Sequence, residues 1–329
     1  MKILTVLLFA LHTAVAQPEA ARDLSNQALD AYDHRDYVNA ERLGREAVRK
    51  WESLGDAYHP HLGITRMNLA QAFAIQGNRT EALDQLQQSI ALLREAFGDR
   101  NIHTLTAMNL LGGLYLGLGD TENAERVLNE TLPIAREIDP NGIQTARALA
   151  GLSSVRLREQ HLAEAQSLAD ESLRLAIRVS GEDSMDAALA YGAAAEVHRT
   201  AGRDDRALPL YHRARAIYER LLGPQDTRVA AVLAQEALIL IHDKKFALAD
   251  QELRRSIDIL DRSCPACSVE RWNAESALGL LRTRQGKYEE ADRLFTHILS
   301  LQESTNPQPF ADVAATRNAL SFVRAKEHR

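Results

Sequence analysis

The residues best equipped for chemistry in this 329-residue chain are its two cysteines, which stand as Cys264-Pro265-Ala266-Cys267. Two thiols at that spacing serve redox exchange, half of a zinc site, haem attachment or a local disulfide. A zinc site needs four ligands, and there is no second Cys pair to supply them. A redox pair needs a thioredoxin-like strand-to-helix setting, which a loop between helices lacks. Haem attachment needs His after the second Cys, where Ser268 stands. In an exported chain a short disulfide stiffening the loop is favoured, with free thiols or a bound metal as the alternatives. Acidic pairs such as Glu289-Glu290 fall on helix surfaces, where solvated charge is the default. There is no Gly-rich phosphate loop, no Gly-x-Ser-x-Gly and no His-Glu-x-x-His. The residues predict no catalytic set, no metal site and no cofactor.

Composition narrows the partners further. The chain is 45% hydrophobic and 26% charged, ample for a folded structure, and its 5% of aromatics beside abundant Ala and Leu favours closely packed helices. With 39 basic and 45 acidic residues interspersed, the net charge of −6 gives no field suited to a polyanion, so nucleic acid is not expected as a partner. At the N-terminus, Lys2 precedes an apolar run from Ile3 to Leu11 and then Ala14-Val15-Ala16 before Gln17. That pattern predicts a signal peptide over residues 1–16, cleaved between Ala16 and Gln17, and hence a periplasmic or extracellular protein; the alternative is a buried N-terminal helix. The run is too short to span ~30 Å of hydrocarbon, and no later stretch approaches the ~20 apolar residues of a transmembrane segment.

The elements that would carry any site are set by an internal repeat. Ala40, Ala82, Ala124, Ala165, Ala207, Ala249 and Ala291 follow one another at 41 or 42 residues. Twelve residues before each stands another small residue: Ala28, Ala70, Gly112, Ser153, Ala195, Ala237 and Gly279. Seven residues after come Ala47, Ser89, Thr131, Ser172, Ala214 and Ser256, and then Ile298, where the last repeat departs. Helices crossing at ~8–10 Å require small residues at the point of closest approach. Four residues after the first column, Leu86, Leu128, Tyr211, Leu253 and Phe295 supply bulk beside the crossing, with Gly44 and Ala169 as the small exceptions.

Between the two helices of each unit lies a breaker position, held by Arg35, Gly77, Gly119, Gln160, Gly202, Lys244 and Gly286. Gly ends a helix cheaply in the left-handed conformation; the three other residues must accept strain or turn differently. The first (A) helices are expected near 19–33, 61–75, 103–117, 143–158, 185–200, 227–242 and 269–284. The second (B) helices are expected near 37–53, 79–96, 121–138, 162–179, 204–222, 246–262 and 288–303. The repeats then occupy about 19–58, 59–101, 102–141, 142–183, 184–225, 226–267 and 268–307, with a capping helix within 308–329, in one domain over 17–329.

The small columns, the bulky residue and the Gly turn resemble the tetratricopeptide repeat, and the 42-residue period resembles its kinesin-light-chain type. The matching stretches are Ser53-Leu54-Gly55 with His59-Pro60, Asn68-Leu69-Ala70, Asn109-Leu110-Leu111-Gly112 and Leu221-Leu222-Gly223-Pro224. Repeats four and six depart by lacking the Gly turn, and Gln27 and Glu236 stand in a column that is usually apolar. His59 and His61 have metal-like spacing, but His59-Pro60 coincides with the turn between repeats in the family, which favours a structural role.

The resemblance implies an all-α fold, a right-handed α-solenoid of about seven hairpins plus a C-terminal capping helix. It implies a concave groove lined by A helices that takes a protein or peptide ligand, and no catalytic residues. Positions facing inward in the family correspond here to Met67, Gln71, Asn109, Arg147, Ser154, Glu196 and Arg199. The Lys and Asn clamp for a terminal carboxylate is missing, since Ile64 and Thr106 hold the Lys positions. The expectation is an exported, non-enzymatic scaffold or adaptor, with a peptide-responsive regulator as the alternative and self-association as a further open class.

Overall fold

The computed structural model describes residues 2–264, 268–304 and 310–327. Among the described residues there are fifteen α-helices, one 3-10 turn at Asp56–Tyr58, and no strand. Numbered in chain order, the A helices are α1 (Lys2–Asp33), α3 (His59–Ile75), α5 (Ile102–Gly117), α7 (Ile143–Arg158), α9 (Met185–Thr200), α11 (Thr227–His242) and α13 (Ser268–Arg284). The B helices are α2 (Tyr37–Glu52), α4 (Arg79–Phe97), α6 (Thr121–Ile138), α8 (Leu162–Ser180), α10 (Asp204–Leu222), α12 (Phe246–Ser263) and α14 (Tyr288–Ser304), and α15 (Phe310–Glu327) follows. The fold is an α-solenoid of helical hairpins. The large departure from the expected bounds is α1, which starts at Lys2 and not near residue 19. The apolar run from Ile3 contains no residue that stops a helix, and Pro18 is accommodated inside α1.

All seven A-to-B turns use one geometry. The breaker residue is left-handed in each, with φ of 64° at Arg35, 81° at Gly77, 79° at Gly119, 66° at Gln160, 70° at Gly202, 60° at Lys244 and 76° at Gly286. The next residue's N–H closes a six-residue loop back onto the A helix, as in Asn78 N–H to Phe73 O and Lys245 N–H to Leu240 O, at 2.9 and 2.8 Å. This is the Schellman arrangement, and it satisfies carbonyls that the helix end would leave orphaned. Arg35, Gln160 and Lys244 accept the strain because the same loop must close in every repeat.

The small columns are the crossing points. All seven alanines from Ala40 to Ala291 are buried, as are the columns before and after them. A Cβ added at Gly112 would lie 2.7 Å from Leu128, and one at Gly279 would lie 2.7 Å from Phe295, so the bulky residue of the B helix occupies the space the glycine vacates. Buried serine hydroxyls in the third column are satisfied across the hairpin: Ser89, Ser172 and Ser256 donate to the carbonyls of Gly63, Ala146 and Ala230, each at 2.7 Å and each 26 residues back, whereas Thr131 donates within its own helix to Val127 O.

The chain divides into two compact units, one of Met1–Leu114 with Arg126–Ile138 and one of Tyr115–Glu125 with Asp139–Arg329. In the first, buried Trp51 donates from Nε1 to Ser25 Oγ at 2.9 Å and is stacked on the His61 ring at 4.8 Å. His59 reaches instead to Asp56 and Glu95 at 3.3 and 3.2 Å, so the two histidines serve different packing contacts. In the second unit the core follows the helices from α9 to α13. Two arginines in the same register tie neighbouring helices together: Arg156 joins Glu125, Glu159 and Glu164, and Arg282 joins Asp250 and Glu290.

Candidate functional site

In the second unit, α7 and α9 pack against each other and present matching faces. Positions spaced i, i+3, i+4 and i+7 share one side of a helix. On α7 these are Arg147, Ala150, Gly151 and Ser154; on α9, 42 residues later, they are Leu189, Gly192, Ala193 and Glu196. All eight are half-buried or exposed, and Leu189 shows 51% of its surface although it is a leucine. No atom lies within 4 Å of where a Gly192 Cβ would stand, so the middle of the α9 face is open. Small residues there leave backbone within reach of a partner.

Charged groups bound this surface, and they are held. Arg147 donates through Nε and Nη2 to Asp186 Oδ1 at 2.9 and 2.7 Å, joining α7 to the first turn of α9. Asp186 also accepts from Ser180 Oγ at 3.0 Å. Toward the other end of α9, Arg199 donates through Nε and Nη2 to both oxygens of Glu196, at 3.1 and 2.5 Å, and the buried Tyr211 hydroxyl of α10 donates to Glu196 Oε2. Burial, and then the charge of Glu196, push the Tyr211 hydroxyl up, so it remains a donor. Burial works against the Arg199 charge, and the hydrogen bond to Glu196 more than restores it. The arrangement can orient polar groups of a ligand, but its carboxylates and guanidiniums are already neutralised in pairs.

The structure therefore brings together Arg147, Ser154, Glu196 and Arg199 of the sequence-derived set. Ser154 donates to its own helix, to Ala150 O at 3.2 Å. In the first unit Gln71 is half-buried, whereas Met67 and Asn109 are 6% and 8% exposed and offer a partner little more than an edge. Sequence reasoning missed Asp186, Leu189, Gly192 and Tyr211. The 42-residue register could have found Leu189 and Gly192, because Arg147 and Ala150 define their columns; nothing linear pairs Tyr211 with Glu196.

Cys264, at the end of α12, is buried and disulfide-bonded. Cys267, the other cysteine of the sequence, lies outside the described residues. Among the described residues no group of three or more His, Cys, Asp or Glu side chains could hold a metal ion, and no helix is long and apolar enough to cross a membrane.

A family model described as tetratricopeptide repeat matches residues 24–95, 74–137, 103–178 and 186–262, and a second of the same description matches 276–307. No curated protein matches the chain's sequence. Among solved structures the chain is similar to a Rap protein complexed with competence and sporulation factor, at 14% identity over 96% of this chain and 88% of that one, with a TM-score of 0.66. It is similar to the Rap conjugation gene regulator of the plasmid pLS20 in complex with the Phr* peptide, at 12% identity over 92% and 72%, with a TM-score of 0.58. A putative kinesin light chain from Podosopora anserina with nearly identical TPR-like repeats matches at 17% identity over 62% and 96%, with a TM-score of 0.49. At such identities the likeness to the two Rap structures is one of fold.

Proposed function

The chain belongs to the tetratricopeptide repeat family, and from that premise we propose that it is a non-enzymatic scaffold whose A-helix faces hold a peptide or protein segment. The observation that carries the reading is the paired α7–α9 face: an open floor of Ala150, Gly151, Gly192 and Ala193, an exposed Leu189, and polar groups fixed at its ends. A floor with no side chain larger than a methyl group lets an extended segment approach the helices, and the pre-oriented ends can meet its polar groups without ordering cost at the moment of binding. Charge self-neutralisation favours a ligand without strong net charge. The signal-like N-terminus supports action outside the cytoplasm, after cleavage at Ala16-Gln17.

A peptide-responsive regulator is the second reading, favoured by the fold shared with the Rap regulator held in complex with the Phr* peptide. Both readings need the same face. Affinity capture from the native compartment should return partners with the wild-type chain and lose them with Gly192→Gln, which puts a side chain on the open floor at a position where its Cβ meets no neighbour. Arg147→Ala and Arg199→Ala should weaken capture. Equal capture by all three variants would remove this face from consideration. N-terminal sequencing of the recovered protein should begin at Gln17; an intact Met1 on functional protein would overturn export.

A further inference from the structure

One buried group has no part in that face. Glu236 of α11 is 0% exposed, and neither carboxyl oxygen has a hydrogen-bond partner among the described residues. It stands in the column occupied elsewhere by the buried Leu69, Leu111 and Leu152, so the fold asks for an apolar side chain there. Leaving a carboxyl without hydrogen bonds in such a place is costly, and an ionised one far more so.

The groups around it come from two neighbouring helices. From α10, His212 Nε2 lies 3.7 Å from Glu236 Oε1 and Arg215 Nε lies 3.4 Å from Oε2, with Glu219 farther along the same helix. From α12 come Glu252 and Arg255, but Arg255 already serves Glu219 at 2.7 Å. The third neighbour, α13, supplies none of the charges with the largest effect on the carboxyl. The two acids thus work against Arg215, and Arg255, engaged with Glu219, adds only the smallest help. His212 does not help: burial, and then Arg215, push its imidazole down.

We propose that Glu236 is a proton-operated latch at the junction of α10, α11 and α12, protonated when the three helices pack as described and ionised when α10 separates from α11. Burial, against only partial help from Arg215, pushes the carboxyl up from 4.5 to about 8. The packed form then holds a proton that an opened, solvated form releases between those values. Packing strengthens as pH falls toward 4.5, weakens as pH rises, and has lost the whole contribution above about 8. Opening has a consequence for the α9 face, which rests on the function proposed above: Tyr211, the residue before His212 on α10, is the donor that holds Glu196. A shift of α10 would loosen that end of the face and couple ligand binding to proton uptake.

The test reads packing directly and needs no ligand, so it can fail while the groove reading stands. Amide hydrogen exchange of α10 and α11 in the full chain, corrected for intrinsic base catalysis, is followed from pH 5 to 9 for the wild type, Glu236→Gln and Glu236→Leu. Wild-type protection is expected to fall by roughly a hundred- to a thousandfold over that range. The two neutral variants should keep theirs. In parallel, carboxyl ¹³C shifts of Glu-labelled wild type should contain one resonance titrating near pH 8 that is missing from Glu236→Gln. Identical exchange profiles in wild type and both variants, or titration of Glu236 in the ordinary carboxylate range, would overturn the latch.

Discussion

Replacing Gln160 and Lys244 by Gly should stabilise the second unit. Both residues are left-handed, at φ of 66° and 60°, in turns where three other repeats of the chain use Gly at 70–79° and a fourth at 81°. An L-residue in that conformation costs roughly 1–2 kcal/mol. Gly removes the cost but brings back about 0.4–1 kcal/mol of unfolded-state entropy, so each change should net about 0.5–1 kcal/mol. The sites lie in different hairpins and should add, giving roughly 1–2 kcal/mol for the double variant. The reverse change at Gly202 is a clean control, because no atom lies within 4 Å of its would-be Cβ and only backbone strain is introduced. Urea unfolding followed by far-ultraviolet circular dichroism should show a higher midpoint for Gln160→Gly/Lys244→Gly and a lower one for Gly202→Ala. For a unit of this size the thermal midpoint should rise by about 2–4 °C per kcal/mol. A double variant no more stable than wild type, with Gly202→Ala equally neutral, would refute the claim that turn geometry is imposed by the repeat against residue preference.

Gly279→Ala should lose roughly 1–3 kcal/mol by thermal unfolding, since the new Cβ would sit 2.7 Å from Phe295, and adding Phe295→Leu should recover most of it. Ser256→Ala should change stability by no more than about 1 kcal/mol in urea unfolding, because Ala47 and Ala214 fill the same buried column without a hydroxyl. Burial pushes the Asp250 carboxyl up, and hydrogen bonds from Arg254 and Arg282 more than reverse this; Arg282→Met should therefore flatten the loss of stability on acidification below the ordinary carboxylate range, measured by urea midpoints across pH. Thiol titration of protein recovered without reductant should find no free cysteine, and reduction should release two.

The hairpins were legible because each small column reports a steric demand that recurs every 41 or 42 residues, and recurrence averages out single exceptions. Gly44 and Ala169 break the bulky column, and Arg35, Gln160 and Lys244 break the glycine column, yet the register survives them. The start of α1 was not legible in the same way. Outside the first repeat no column constrains residues 2–16, and the apolar run that predicts a targeting segment also suits the front of a helix. The site was legible only in part. Register gave the face on which Arg147, Ser154 and Glu196 lie, since that is a matter of helical periodicity. It could not give the partners Asp186 and Tyr211, because side-chain pairing between helices depends on rotamers that no spacing encodes.

Glu236 shows how the two kinds of information combine. Its column marks it as an apolar position, and a polar residue there could be an edge effect, as Gln27 is in the first repeat, where the column is solvent-exposed. Only the surrounding helices distinguish the cases. The carboxyl at 236 is enclosed by α10 and α12 with one arginine at 3.4 Å that makes no hydrogen bond to it, so the substitution is a stored instability and not a surface change. Stability thresholds tolerate such a cost where it is confined to one interface. In an array stabilised chiefly by contacts between neighbours, weakening one junction leaves the hairpins on either side folded. That confinement is what allows a single ionisable residue to act on packing between hairpins without unfolding them.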